Sequence, residues 1–209
     1  YLIGHEGPGS ILSLLKTKQW AMGLTAGSGI NGSNFKDFNI SIHLTDKGEQ
    51  HIEQIIESVF DYITLLNKET IAEYYYQEKK SIAELSFHYH EKQKPLDSVC
   101  QLVINMQHYP VEDYIFGDYV MDGQCPEITK EMLSYLTPQN MRLVHISQNN
   151  TFNKISRWYE VPYTENKIDE NKIAHWSSKQ LNNHIYLPGI NPYIVANPKV
   201  LTHKNNQDK

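Results

Sequence analysis

The sequence predicts an α+β domain, built as a mainly antiparallel sheet with helices packed on one face. Strand-like segments lie toward both ends of the chain, and helical periodicity fills the middle. The regular strand–helix alternation of a doubly wound parallel sheet is absent. With 209 residues, 40% of them hydrophobic, the chain can bury one sizeable core. We predict a single domain over residues 1–209, in which residues 164–209 form an extended C-terminal segment.

Turn residues and apolar spacing place the first elements. Pro8 and Gly9 end a short opening strand, and Ser10 stands at the N-cap of the first helix. A second strand is predicted over residues 20–25, before a run of small residues, and a third over residues 38–44, where polar and apolar residues alternate. A long helix follows, because one stripe of apolar residues recurs at helical spacing: Ile52, Ile55, Ile56, Val59, Phe60 and Ile63.

The second half of the chain is predicted to hold more helices and two weaker strands. Helices are expected from near Glu69, from Pro95, from Pro126 and over residues 170–176; strands are expected over residues 141–146 and 158–161. The helix from Pro95 is expected to turn its apolar residues inward: Leu96, Val99, Leu102, Val103 and Met106. Cys100 lies among them and is predicted to be a buried thiol. With Cys125 as its only companion, it predicts neither a disulfide scaffold nor a Cys-rich zinc module.

Charge and hydropathy exclude several classes of function. The net charge of −5 and the isoelectric point near 6.1 provide no basic face for nucleic acid. No apolar run approaches the roughly 20 residues that span a bilayer, so we expect no membrane partner. The chain starts within the apolar run Tyr1-Leu2-Ile3, without an initiator methionine or a basic leader. We therefore expect it to be part of a longer polypeptide.

Two His–Glu combinations in the sequence are candidates for a zinc site. A helical H-E-x-x-H or H-x-x-E-H motif puts two imidazoles on one helix face. His5-Glu6 is followed by Gly-Pro-Gly, which removes the second histidine and breaks a helix. His88 and Glu91 match the inverted motif, but Lys92 occupies the second ligand position, and an ammonium group cannot bind zinc. We predict no metal site in this chain.

Other catalytic constellations are also missing. The sequence contains no G-x-S-x-G elbow and no G-x-x-x-x-G-K-[ST] phosphate loop. The Gly7-Pro8-Gly9 turn precedes a helix and could offer backbone N–H groups to an anion, but no basic partner stands beside it. The residues alone predict a soluble α+β domain without catalytic residues.

The order of several motifs is more specific. These are L-I-G-H-E-G-P-G-S-I-L-S-L-L-K, then K-Q-W, L-T-A-G and L-T-D-K-G, and later L-T-P-Q-N-M-R and L-P-G-I-N-P-Y-I. Together they resemble the second, non-catalytic domain of the pitrilysin/insulysin family of zinc metallopeptidases, and the tail resembles the bacterial branch. The resemblance implies the fold that this family shares with mitochondrial processing peptidase. It also implies a periplasmic protein, with the cytoplasm as the alternative.

The resemblance implies a division of labour between domains. Zinc belongs to the first domain of the parent chain, and this domain needs no cofactor. It would help to form the substrate chamber with the other domains of the same chain. It would also bind the N-terminal segment of a peptide substrate as an added strand. The positions that match this peptide site are Gly4, His5, Glu6, Leu24, Thr25, Ala26 and Gly27.

The predicted peptide site is chemically sensible. Strand addition relies on main-chain hydrogen bonds and tolerates many sequences, as a broad peptidase requires. Small residues let another backbone approach, and Glu6 could pair with a free amino terminus. Ala26 stands where insulysin-like members have glycine, which makes the edge less open. The competing interpretation is that Gly27 and Gly29 only form a hairpin turn.

Three functions remain open on the sequence. The first is the inactive middle domain of a zinc metalloendopeptidase, and the second is a free-standing peptide-binding or scaffold module. The third is an independent metallohydrolase using His88, His90 and Glu91. The comparison also suggests that strands are missing on the N-terminal side, so a homodimer through an exposed sheet edge is expected for the isolated chain.

Overall fold

A computed structural model describes residues 1–32, 34–178 and 184–195 of the chain. Helices and strands follow one another in the order α1 Ile11–Thr17, β1 Ala21–Asn31, β2 Lys36–Leu44, α2 Asp46–Glu49, α3 Ile52–Lys68, α4 Glu73–His88, α5 Pro95–His108, α6 Pro126–Ser134, β3 Lys154–Ile155, β4 Pro162–Tyr163 and α7 Glu170–Ser177. Single 3₁₀ turns occur at Val111–Asp113, Gly117–Tyr119 and Pro138–Asn140. Both sheets of the described residues are two-stranded and antiparallel, β1 with β2 and β3 with β4. The α+β prediction is confirmed.

The chain divides into two compact units. The first contains Tyr1–Thr70 and Pro126–Pro188, and the second contains Ile71–Cys125 with the residues from Gly189. The main apolar core belongs to the first unit, where α1, α3 and the inner face of the β1–β2 hairpin pack together. None of the helices in the described ranges is both long and apolar enough to cross a membrane.

Helix α1 is short, buried and closed at both ends. Its N-cap residue Ser10 accepts a hydrogen bond from the Ser13 amide at 3.1 Å, as the sequence predicts. At the other end, the Trp20 amide donates to the Leu15 carbonyl and the Gln19 amide donates to the Lys16 carbonyl. This pair of bonds commonly ends a helix and requires a left-handed residue between them. Gln19 adopts that conformation, with φ 61°.

The β1–β2 hairpin contributes one apolar face to the core. Leu24 pairs with Ile42 and Ala26 with Ile40, and all four side chains pack on the core. The intervening Thr25 and Gly27 are exposed, as the alternation of a strand requires. The register slips between Ala21 and Gly23, which is an irregularity of the β-bulge type. β1 extends to Asn31, beyond the predicted residues 20–25.

Helix α3 confirms the predicted apolar stripe. Its residues Ile55, Ile56, Val59, Phe60 and Ile63 are buried, and Ile52 is partly buried against the same core. Tyr62 on this helix has no exposed surface, and its hydroxyl donates to the Leu2 carbonyl at 3.2 Å. Burial raises the pKa of Tyr62 to about 12. The tyrosine therefore stays a neutral donor and holds the opening segment against the core.

The second unit is organised around a polar network on α5. The Gln101 side-chain amide donates to Asn105 and to Asp118, and the Asn105 amide donates to the Tyr114 carbonyl and to Asp118. The Tyr109 hydroxyl donates to the other oxygen of Asp118. Burial and this carboxylate raise the pKa of Tyr109. Asn105 is buried, so this polar side of α5 packs inward.

The sequence predicts that the apolar residues of α5 face inward. This prediction is wrong, because the polar side of the helix packs inward instead. Leu96, Val99, Leu102, Val103 and Met106 are all exposed. Cys100, predicted to be buried, is exposed as well, and so is Cys125. Helical periodicity separates two faces but does not say which of them packs inward. Here hydrogen bonds to Asp118 hold the polar face against the unit.

Three predicted strands are also wrong. Residues 1–3 and 141–146 are not strands, and residues 158–161 lie in the turn between β3 and β4. Leu143, Val144 and Ile146 are exposed, and no backbone hydrogen bond joins residues 142–147 to another residue of the described ranges. Alternating apolar residues favour a strand, but a strand forms only where a partner supplies the hydrogen bonds. The helices from Pro126 and over residues 170–176 are confirmed as α6 and α7.

Charged side chains join α3 to α7. Lys172 pairs with Glu53, and His175 lies 3.5 Å from Glu57. Asp61 is buried one turn further along α3. Burial, helped by the charge of Glu57 and opposed by His175, raises the pKa of Asp61 from 3.8 to about 6. The folded chain therefore carries a costly carboxylate at neutral pH.

Gln19→Gly is expected to stabilise the chain by about 1 kcal/mol, because glycine adopts the left-handed conformation without the side-chain penalty. Denaturant unfolding measures the change. Gln50→Gly is the matched control, since Gln50 also ends a helix but has φ −81°. An equal gain in both variants, or none in Gln19→Gly, would contradict the role given to Gln19.

Asp61→Asn is expected to stabilise the chain at pH 7 by about 1–3 kcal/mol, because each pKa unit corresponds to about 1.4 kcal/mol. The folded state binds this proton more tightly than the unfolded state, so Asp61 lowers stability as pH rises from about 4 to about 6. Unfolding free energies measured from pH 4 to pH 7 should therefore diverge between wild type and variant. The exposed Asp122→Asn is the control for the loss of one surface charge. A curve for Asp61→Asn that runs parallel to that of wild type would contradict the prediction.

Candidate functional site

The opening residues form two consecutive turns before α1. The His5 amide donates to the Leu2 carbonyl at 3.2 Å, and the Ser10 amide donates to the Gly7 carbonyl at 3.1 Å. Between them, the Gly7 amide donates to Nδ1 of His5 at 3.0 Å. Gly9 has φ 82°, and an added Cβ there would collide with the Tyr186 ring, so the second turn requires glycine. His5 closes the first turn and Glu6 lies between the two turns, so the prediction that they sit on a strand is wrong.

The first of these turns, residues 2–5, which we call the opening turn, lies against the middle of β1. A Cβ added to Gly4 would lie 3.4 Å from the Ala26 carbonyl oxygen and 3.5 Å from the Ala26 amide nitrogen. The structure thus brings together Gly4 and Ala26 from the two parts of the predicted site. The contacts of His5 and Glu6 lead elsewhere: the His5 ring meets Tyr1 edge-on, with centroids 6.2 Å apart, and Glu6 pairs with Lys16.

The edge of β1 opposite β2, which we call the β1 outer edge, has no strand beside it within the described ranges. In an antiparallel pair, alternate main-chain groups of a strand point away from its partner. No backbone hydrogen bond joins residues 24–27 to a described residue outside the hairpin. The β1 outer edge can therefore accept hydrogen bonds from another backbone and donate to it.

The four β1 residues of the predicted site differ in what they can offer. Leu24 is buried in the core, so only its main chain is available. Thr25 is exposed, and Ala26 is half-buried. Gly27 is exposed, and a Cβ added there would meet no atom within 4 Å. An incoming backbone would find small side chains and open space at this position.

Glu6 is the charged residue that directly follows the opening turn. Its carboxylate lies 4.0 Å from the Lys16 ammonium, and both side chains are more than half exposed. Exposed pairs of this kind contribute about 0–1 kcal/mol, because water and salt screen them. Glu6 can therefore exchange Lys16 for another cation at little cost.

The first unit contains a groove that the sequence does not predict. It is open to solvent, encloses about 250 Å³ and is lined by α3, by residues 133–139 and by the end of α7. Phe60, Leu136, Pro138 and Trp176 supply its apolar wall, and Gln139 donates to the Ser177 hydroxyl at 2.9 Å beside it. Apolar spacing marks these residues as core, and only the packing of the three elements shows that a groove remains.

The histidines of the inverted zinc motif have other neighbours in the structure. His90 Nδ1 lies 3.5 Å from the Tyr119 hydroxyl, and the His88 ring packs edge-on against Phe87. In the part of the chain that the structure describes, no three His, Cys, Asp or Glu side chains come together as a metal site would require. The donor set in these ranges does not fit a resident zinc ion.

Comparison with known proteins gives a consistent result. Insulin-degrading enzyme-like 1, peroxisomal, from Arabidopsis thaliana is 35% identical over 211 residues, which cover 100% of this chain and 21% of that protein. Human nardilysin is 36% identical over 203 residues, which cover 94% of this chain and 18% of that protein. The crystal structure of pitrilysin superposes with a TM-score of 0.89 at 30% identity, covering 97% of this chain and 22% of that one.

The family model described as "Middle or third domain of peptidase_M16" matches residues 87–209, more than half of the chain. The chain spans about a fifth of the length of the relatives it matches. The motifs of the first 86 residues, which lie before that match, are covered by the alignment to the Arabidopsis relative over the whole chain. The chain therefore belongs to the peptidase M16 family of metallopeptidases, as a middle or third domain.

Proposed function

We propose that this chain is the inactive middle domain of a longer zinc metalloendopeptidase and that it binds the N-terminal segment of the substrate at the β1 outer edge. The observation that carries the proposal is that no strand of the described ranges pairs with the β1 outer edge, beside Gly4, in a chain that belongs to the peptidase M16 family. Peptide hydrolysis is assigned to the parent protein. Zinc is assigned to its first domain, as the resemblance implies.

The chemistry of the β1 outer edge supports peptide binding. An extended peptide that adds to a sheet edge is held by its main chain, which all peptides share. The small side chains of Ala26 and Gly27 leave room for it, and the Tyr62 hydroxyl bond to Leu2 holds the opening turn in place. The competing idea that Gly27 and Gly29 only make a hairpin turn is weakened, because both glycines lie within β1, before the hydrogen bond from the Gly32 amide to the Phe35 carbonyl.

Glu6 is proposed to attract the amino terminus of the bound peptide. Its carboxylate is two residues from Gly4, which lies against Ala26. Its present partner Lys16 is held weakly. A peptide ammonium group would replace that lysine, and the contact would favour substrates with a free N-terminus.

The location and the partners of the chain are proposed as well, the location on the resemblance of its tail to the bacterial branch of the family. The parent protein is proposed to reside in the periplasm. Its other domains are proposed to be the permanent partners of this chain. Cell fractionation tests the location. The coding sequence separates this function from a free-standing scaffold module: an upstream H-x-x-E-H motif in the same reading frame is expected.

Ala26→Pro in the full-length parent is expected to weaken binding of a peptide of about 20 residues by about 2- to 10-fold. Proline removes one edge N–H, and one hydrogen bond contributes about 0.5–1.5 kcal/mol. Ala26→Ser keeps the N–H at nearly the same volume and should bind as wild type does. Titration by fluorescence anisotropy measures both, with circular dichroism to confirm that each variant is folded.

Changes in the peptide repeat the test without touching the protein. N-methylation of two successive amides near the peptide's N-terminus should weaken binding to the wild-type parent, because at least one of the two N–H groups would face the edge. Acetylation of the amino terminus should weaken binding several-fold in wild type and have no effect in Glu6→Gln. Unchanged affinity for both modified peptides would refute the assignment of this edge.

A further inference from the structure

Helix α5 is amphipathic in the reverse of the usual sense. Its inward side carries Gln101 and Asn105, which are hydrogen-bonded to Asp118. Its outward side carries six apolar residues, which we call the outer α5 stripe: Leu96, Val99, Cys100, Val103, Ile104 and Met106. At 3.6 residues per turn, these six fall within about half of the helix circumference, on the side opposite Asn105.

The outer α5 stripe is strongly exposed. Leu96 is 72% exposed, and Val99, Val103, Ile104 and Met106 are each between 51% and 57% exposed. No residue between Ser98 and Gln107 carries a charge. Val111 and Ile115, just beyond the helix, are also exposed. A contiguous apolar surface of this kind marks an interaction site, because scattered single apolar residues are the norm elsewhere on protein surfaces.

We propose that the outer α5 stripe is buried against another domain of the same longer polypeptide. This inference rests on the proposed function, in which the chain is one domain of a parent protein. The family domain is described as the middle or third one, and its match, residues 87–209, includes the whole of α5. Relatives are about five times longer than this chain, so they contain other domains that could supply such a partner.

The chemistry of α5 favours a protein partner over a lipid surface. Helices that lie on membranes usually carry lysine and arginine beside the apolar face, where they meet anionic headgroups. Residues 95–108 contain no lysine or arginine, and the chain has a net charge of −5. An aliphatic stripe without charge instead matches the apolar centre of a permanent interface. A second copy of the chain remains as an outcome of the test.

Thiol labelling of the native full-length parent tests this inference, because Cys100 belongs to the stripe and Cys125 does not. Each cysteine is mapped by mass spectrometry after reaction with a maleimide, and each rate is divided by the rate in the unfolded protein. Cys100 is expected to be protected at least 10-fold more than Cys125, at every protein concentration. Equal protection would overturn the proposal, as would protection of Cys100 that disappears on dilution, which would indicate a second copy.

A charge placed on the stripe provides the second test. Val103→Glu in the full-length parent is expected to raise the labelling rate of Cys100 at least 5-fold, because a carboxylate is costly to bury in an apolar interface. His108→Glu adds the same charge to the same helix outside the stripe and should leave the rate unchanged. If Cys100 reacts at the same rate in Val103→Glu as in wild type, the stripe is not an interface. If that variant does not fold, the labelling rates of Cys100 and Cys125 in the wild-type parent decide the question.

The two proposals fail in different ways. A reading frame without neighbouring domains would remove both the proposed function and this inference. This inference alone would fail if the parent has those domains and Ala26→Pro weakens peptide binding, but Cys100 reacts freely with the maleimide. If Cys100 is protected but Ala26→Pro does not change the peptide affinity, the interface is supported and the peptide site is refuted.

Discussion

The burial of α1 is the constraint on which the rest of the first unit depends. Ile11, Leu12 and Leu15 are at most 1% exposed, and burying each contributes about 1.5–3 kcal/mol. The chain must therefore turn sharply on both sides of this seven-residue helix. The turn at Gly9 determines the direction from which the opening residues enter α1, and the turn at Gln19 leads directly into β1. The meeting of Gly4 with Ala26 is a consequence of these two turns.

The sequence predicts well those elements whose signals are local. Ser10 caps α1 and the stripe on α3 faces the core, as predicted, because caps and periodicity act within one or two turns of chain. The motif order also identifies the family. The same local rules fail on α5, where the orientation depends on Asp118, ten or more residues away. They fail again over residues 141–146, where a strand would need a partner that periodicity does not supply.

The candidate site was predictable only in part. The positions Gly4 and 24–27 come from the motifs, and the structure brings Gly4 against Ala26. The sequence does not predict the turn at His5. The hydrogen bond from the Gly7 amide to His5 Nδ1 involves only residues 5–7, and their sequence is equally compatible with the end of a strand. The burial of Leu24 follows from strand alternation. The groove between α3 and α7 has no local signal, because it is a gap between elements that are distant in sequence.

The central claim is that the β1 outer edge binds the backbone of a peptide. Amide hydrogen exchange of the full-length parent, with and without a 20-residue peptide, tests this most directly. The account predicts slower exchange, when peptide is bound, for those amides of residues 24–27 that point away from β2, and unchanged exchange for β2, which is already paired on its β1 side. Protection confined to another part of the protein, with residues 24–27 unaffected, would contradict it.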